Sequence, residues 1–315
     1  MGSKQGRSDA GRAVADVLVV GSVALDSVAT PFGKVREVLG GSATYFSYAA
    51  SFFTTVRLVA TVGDDFPDEH LVLLKERGVD MTGLQISRGR TFRWVGEYGY
   101  DLNEARTIDT QLNVFADFKP VLPSLLKTTP FLFLANIAPE LQLDVLRQME
   151  RPHLVALDTM NFWIQGKREA LLRVLAEVDA LLINDGEARQ LAKEPNLIKA
   201  ARSILTFGPR TVVVKRGEYG ALMVSDGHFF FVPAYPLESV FDPTGAGDTF
   251  AGGFMGYIAS QGVVDHATVR RAIVYGSVMA SFTVEDFSLR RLTRLTTAEV
   301  ERRYAAFQEL VRIDI

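Results

Sequence analysis

Asp248 stands directly behind Gly245-Ala246-Gly247, in the stretch Asp242-Pro243-Thr244-Gly245-Ala246-Gly247-Asp248-Thr249-Phe250, and these residue types at this spacing suit chemistry on a phosphate. The spacing of Phe250, Phe254, Tyr257 and Ile258 predicts that a helix follows. Gly245 and Gly247 permit a tight turn and leave amide N–H groups unobstructed at the helix start, where the helix dipole also favours an anion. An acid beside such a cradle can take a proton from an attacking hydroxyl while the amides hold a phosphoryl group. The residues also allow a plainer reading, a glycine-rich turn in which Asp248 merely opens a helix. Other phosphate motifs fit less well. No Gly-Lys-Ser/Thr ending occurs, and Gly245–Phe250 lacks the last glycine of the dinucleotide fingerprint and lies too late for a first βα unit.

The elements that must position this segment follow an α/β rhythm. Val17–Val20, Val56–Ala60, Phe131–Leu134, Leu154–Leu157, Ala180–Ile183 and Thr211–Val214 are short apolar runs of the kind that form buried parallel strands. Amphipathic stretches at Ala43–Phe53, Asp68–Arg77, Pro139–Met149, Lys167–Glu177 and Asn196–Leu205 supply the crossover helices. The expected fold is a three-layer α/β/α, doubly wound and mainly parallel sheet, whose ligands sit at the carboxyl ends of the strands. Ser27–Leu39 and Gln85–Ile108 break the rhythm; in the second, Phe92, Trp94, Gly96 and Tyr98 alternate with Thr91, Arg93, Val95 and Glu97. We read these two segments as a small β-sheet lid over a site, with an ordinary surface hairpin as the alternative. Ala221–Val224 and Phe229–Val232, joined around Asp226-Gly227, read as a hairpin.

Composition narrows the partners. A net charge of -3 gives no footprint for nucleic acid, and the absence of cysteine excludes disulfides and thiolate metal sites. Residues 1–15 read as a polar, disordered leader, and no apolar run approaches membrane-spanning length. A soluble cytoplasmic protein is expected.

The stretch from Asp242 to Phe250 is similar to the signature Asp-Thr-x-Gly-Ala-Gly-Asp-x-Phe of the ribokinase-like PfkB carbohydrate kinase family, with Pro243 in place of the usual threonine. Gly40-Gly41-Ser42-Ala43-Thr44 and Gly63-Asp64-Asp65 match two further family patterns in the right order. The resemblance runs from about Val17 to about Thr283 and implies one kinase domain over residues 16–315. The implied activity is ATP-dependent phosphorylation of an alcohol on a sugar or sugar-like substrate. Asp248 would be the general base, and the amides of Gly245, Ala246 and Gly247 would form the anion hole. A nucleoside kinase of the same fold and a non-catalytic nucleotide-binding protein are the alternatives.

The resemblance also implies site residues. Asn184-Asp185-Gly186-Glu187 matches an Asn-x-x-Glu pattern placed near Mg²⁺ and phosphates, so Asn184 and Glu187 would hold the metal through water; the residues equally suit a helix cap. Lys215 and Gly217 lie in the expected ATP-binding turn, where they could also be a solvated hairpin entrance, and Ser277 would form part of the adenine wall. Asp26, Gly40, Gly41 and Thr44 would meet the acceptor, with Asp26 accepting from a diol or serving as a turn acid. Asp242 would border a monovalent cation such as K⁺. A homodimer through the lid is a further expectation. Ala24 and Tyr45 stand where ribokinase has substrate-binding asparagines, which argues against ribose itself. Phe92, Trp94 and Tyr98 could stack on a substrate, but an alternating aromatic face more often packs as core.

Overall fold

The computed structural model describes residues 15–225 and 227–312, so most of the leader expected over residues 1–15, and Asp226 of the expected hairpin turn, lie outside the described residues. Ala15 is tied to the body, its N–H donating to Ala259 O at 3.3 Å and its carbonyl accepting from Thr54 Oγ1 at 2.6 Å.

Among the described residues the strands are β1 (Val17–Val20), β2 (Ala24–Thr30), β3 (Gly33–Gly40), β4 (Val56–Gly63), β5 (Asp80–Ser87), β6 (Phe92–Tyr98), β7 (Ala105–Gln111), β8 (Phe131–Leu134), β9 (Leu154–Asp158), β10 (Ala180–Asn184), β11 (Thr211–Lys215), β12 (Ala221–Ser225) and β13 (His228–Val232). They form a nine-stranded sheet of order β13-β12-β11-β10-β9-β8-β1-β4-β5 and a four-stranded sheet of order β3-β2-β6-β7. Strands β5 to β11 of the large sheet pair in parallel, and β12 and β13 add antiparallel at one edge as the hairpin expected from sequence. Alternation along each buried strand feeds two cores: Val17 and Val19 pack on one side of the sheet, Leu18 and Val20 on the other. Because β1 lies between β4 and β8, the chain winds outward in both directions from that point. The carboxyl edge there is where an open α/β sheet opens a crevice.

The small sheet is the lid expected from sequence, with two corrections to its bounds. Gln85–Ser87 belong to β5 and pair with Thr61–Gly63 of the large sheet, so the second lid segment begins only at Phe92 and runs on to Gln111. The β-rich run from Gln85 hides this boundary, because an edge strand and a lid strand carry the same residue types. The first segment is longer than Ser27–Leu39, starting at Ala24 and ending at Gly40, which puts Asp26 within β2. Strands β2 and β6 pair in parallel while the outer pairs are antiparallel.

An ion-pair chain ties lid to body. Asp65, in the loop after β4, accepts from the Thr91 amide and hydroxyl, both at 2.7 Å, and from Arg93 at 2.8 Å. Arg93 also donates to Glu37 of β3 at 2.8 Å. The Gly63-Asp64-Asp65 motif is therefore an anchor at the root of the lid. The alternating aromatic face of β6 is divided among three jobs: Phe92 stacks on Phe115, Trp94 donates to Thr107 Oγ1, and Tyr98 reaches the signature loop.

Strand β7 is exposed along its whole length and pairs on one side only, whereas β1 is completely buried between β4 and β8. Native-state hydrogen exchange should therefore find β7 amides exchanging at least about a hundredfold faster than β1 amides. Equal protection would mean that the lid edge is covered in solution.

Candidate active site

Three neighbouring parallel strands end on chemically active residues: Asp158 closes β9, Asn184 closes β10 and Lys215 closes β11. Register sets Asn184 beside Lys215 and Asp158 beside Leu182. Lys215 Nζ donates to Asp158 Oδ2 at 3.0 Å. The same Nζ stands 3.0 Å from where a Cβ on Gly247 would lie, so it reaches from the strand edge to the cradle.

The cradle opens the helix Ala246–Gln261, with Asp248 in its first turn. Gly245 precedes it at φ 74, left-handed backbone that other residues adopt only at a cost, and the Tyr45 ring fills the space its Cβ would need. Asp242 is buried and braces the loop, its Oδ1 accepting from Thr244 N–H at 2.9 Å and its Oδ2 from Ser288 N–H at 3.4 Å. The Ala246 amide already donates to Pro243 O at 3.1 Å, because the chain turns back on itself there. Of the three amides assigned to the anion from sequence, those of Gly245 and Gly247 have no such bond among the described residues.

Asn184 and Glu187 form a reciprocal cap on the helix Asp185–Ala192: Asn184 Oδ1 accepts from the Glu187 amide at 2.7 Å and Glu187 Oε2 from the Asn184 amide at 3.0 Å. Among the described residues no group of three His, Cys, Asp or Glu side chains is arranged to hold a metal directly. The recess nevertheless fits Mg²⁺, a cation that keeps several waters: Glu187 and Asp248 each feel the charge of Asp158, and Lys215 alone offsets all three acids.

On the lid side, Asp26 is buried against Gly40, whose missing side chain leaves room for its carboxylate, and it accepts from the Gly41 amide. Tyr45 and Tyr98 lie in the same neighbourhood, where Asp26, Asp242 and Asp248 all act on both phenols, and the Thr244 hydroxyl donates to Tyr98 Oη at 3.3 Å. Thr44 is fully buried, and its hydroxyl has no partner among the described residues. On the other side, a cavity of about 560 Å³ is bordered by Lys215, Gly217, Pro243, Gly247, Phe250 and Ser277, a size suited to a nucleotide. The structure thus brings together Asp248, the cradle, Asn184, Glu187 and Lys215. It sets Gly217 and Ser277 to one side of them and Asp26, Gly40 and Gly41 towards the lid.

Sequence reasoning missed Asp158, and it offered Tyr98 only as part of an aromatic face that could stack on a substrate or pack as core. Asp158 was legible in principle, because a carboxylate ending a buried parallel strand is a ligand-edge signal; the run Leu154–Leu157 stops one residue short of it. The bond that ties Tyr98 to Thr244 carries no local signal, since the two lie far apart along the chain.

Burial, then the Asp158 charge, pushes the Asp248 carboxyl up to about 7, with Lys215 acting in the opposite sense. Glu187 is pushed up to about 7 for the same reasons in the same order, and burial is also the main cause that takes Asp26 to about 7. Asp248 and Glu187 keep some accessible surface at the floor of the recess, so solvent moderates these effects. The consequence for stability has a definite sign. A carboxyl whose folded pKa lies above its unfolded value of about 3.9 imposes no cost below that value and an increasing cost as pH rises through the folded pKa. Asp248→Asn should therefore gain thermal stability relative to the parent between about pH 4 and pH 8. Parallel melting curves across that range would mean that Asp248 ionises as readily folded as unfolded.

A model of the pfkB family carbohydrate kinases matches residues 14–294. Among curated proteins, the chain is 32% identical over 246 residues to a cytidine kinase of Thermococcus kodakarensis, covering 76% of this chain and 87% of that protein. It is 27% identical over 307 residues to an inositol 3-kinase of Arabidopsis thaliana, covering 91% of this chain and 80% of that protein. Its fold matches the aminoimidazole riboside kinase of Salmonella enterica, solved with aminoimidazole riboside and an ATP analogue, at a TM-score of 0.73 and 18% identity over 92% of this chain and 99% of that one. The family model covers most of the chain, including the Gly-Ala-Gly turn and Asp248 behind it; the chain belongs to the pfkB family of carbohydrate kinases.

Proposed function

We propose that this kinase transfers the γ-phosphoryl group of ATP to a hydroxyl of a sugar or sugar-like substrate, with Asp248 as general base. The observation that carries this reading is the place of Asp248 in the first turn behind Gly245-Ala246-Gly247, facing a recess whose cation is Lys215. Asp248 takes the proton of the acceptor hydroxyl; the acceptor oxygen bonds to the γ-phosphorus as the bond to ADP breaks, and ADP leaves with that electron pair. A carboxyl pushed up to about 7 suits a base working near neutral pH. The free amides of Gly245 and Gly247, the helix dipole and Lys215 offset the charge that develops on the transferring group.

Asn184 and Glu187 would hold Mg²⁺ through water, and the ion would offset phosphate charge. Their capping bonds leave carboxylate and amide lone pairs for those waters. A monovalent cation beside Asp242 belongs to the same reading, since that buried carboxylate also has lone pairs to spare. Asp26 would accept from acceptor hydroxyls, with Gly40 and Gly41 letting the substrate approach the backbone. Use of cellular ATP goes with a cytoplasmic location, and the exposed edge strand β7 offers a surface for a homodimer through the lid.

A nucleoside acceptor is the second reading. It is favoured by the cytidine kinase relative and by Tyr98, whose half-buried ring meets the signature loop at Thr244.

Asp248→Asn should lower kcat by roughly 10²–10⁴-fold while leaving the Kd for an ATP analogue within about threefold of the parent. Turnover within about threefold of the parent would remove Asp248 from the base role.

A further inference from the structure

One wall of the cavity beside Lys215 comes from the lid. The turn between β6 and β7 places Tyr100, Asp101, Leu102 and Asn103 along the same cavity that Gly217, Gly247 and Ser277 border. Asn103 Oδ1 occupies the space that a Cβ on Gly217 would take, so the tip of the lid rests on the backbone of the strand turn expected to approach ATP.

The turn is a defined structure. Leu102 N–H donates to Gly99 O at 3.2 Å, Asp101 Oδ1 accepts from the Asn103 amide at 3.3 Å, and Leu102 adopts left-handed backbone at φ 54. At its base, Tyr98 is half-buried and accepts from Thr244 of the signature loop at 3.3 Å. The side-chain amide of Asn103, with two donors and one acceptor, has no hydrogen-bond partner among the described residues.

We propose that the Tyr100–Asn103 turn is part of the nucleotide site, with the Asn103 amide hydrogen-bonding the base or ribose of an adenine nucleotide. A lid expected to serve the acceptor would then also be bound by the donor. Nucleotide alone would seat β6 and β7, and the two substrates would be coupled through one element. Gly217 adopts left-handed backbone at φ 53, which favours glycine, and a Cβ there would also push the Asn103 side chain away. This inference rests on assigning the cavity to the nucleotide, as proposed above.

The test is calorimetric titration of the full chain with a nonhydrolysable ATP analogue and Mg²⁺, without acceptor, for the parent, Asn103→Ala and Asn103→Gln. Asn103 is exposed, so the variants should keep the parent melting temperature. Loss of one hydrogen bond predicts roughly two- to twelvefold weaker binding for Asn103→Ala, with part of the loss recovered in Asn103→Gln, which keeps the amide. Hydrogen exchange in the parent should slow in β6 and β7 on addition of the analogue alone. Unchanged affinity in Asn103→Ala would overturn the role of the lid tip while leaving the nucleotide assignment of the cavity intact. Failure of the parent itself to bind the analogue would sink both the assignment and the inference.

Discussion

One lysine among three carboxylates governs this site. Lys215 is bonded to Asp158 and also feels Glu187 and Asp248; those acids raise its pKa against the opposing effect of burial. Removing the lysine would leave buried carboxylates uncompensated, whereas removing one acid relieves their surplus of like charge. Its members come from the ends of β9 and β11, from the first turn of the helix Asp185–Ala192 and from the start of a helix far along the chain. Only a parallel sheet with its strand ends aligned can bring them to one edge. The surplus of acid over base also defines what the recess lacks: positive charge, to be supplied with a phosphate and its cation.

The lid is fixed to this arrangement at three places rather than hinged freely over it. Asp65, Arg93 and Glu37 join its root to the body, the Ser288 hydroxyl donates to Leu39 O near the end of β3, and Tyr98 meets Thr244 in the signature loop. The small sheet therefore touches both the loop after β4 and the signature loop. A movement that closes one side must pass through the loop that carries Asp248.

The glycine-rich turn and the buried strands were legible because both are local: glycine spacing dictates a turn, and apolar runs of four or five residues between turn residues dictate buried strands. The lid was legible as an interruption, yet its border at Gln85 was not, since β5 and β6 draw on the same β-prone residues and only pairing separates them. The alternatives for Asn184 and Glu187 turned out not to compete, because the cap uses only some of their oxygen lone pairs. The engagement of the Ala246 amide and the bond from Thr244 to Tyr98 were hidden, as each depends on how the chain turns back or on a contact across distant sequence. Asp158 was missed by one residue at the end of a strand, the position where a parallel sheet places its functional side chains.

The central claim is that this recess performs phosphoryl transfer and does not merely hold a nucleotide. It is tested most directly by coupled ADP release with MgATP across a panel of sugars, polyols, sugar phosphates and nucleosides near pH 8, where Asp248 is ionised. The account predicts ADP formation that depends on at least one alcohol acceptor and saturates with it. Saturable ATP binding with no acceptor-dependent ADP release anywhere in the panel would contradict it.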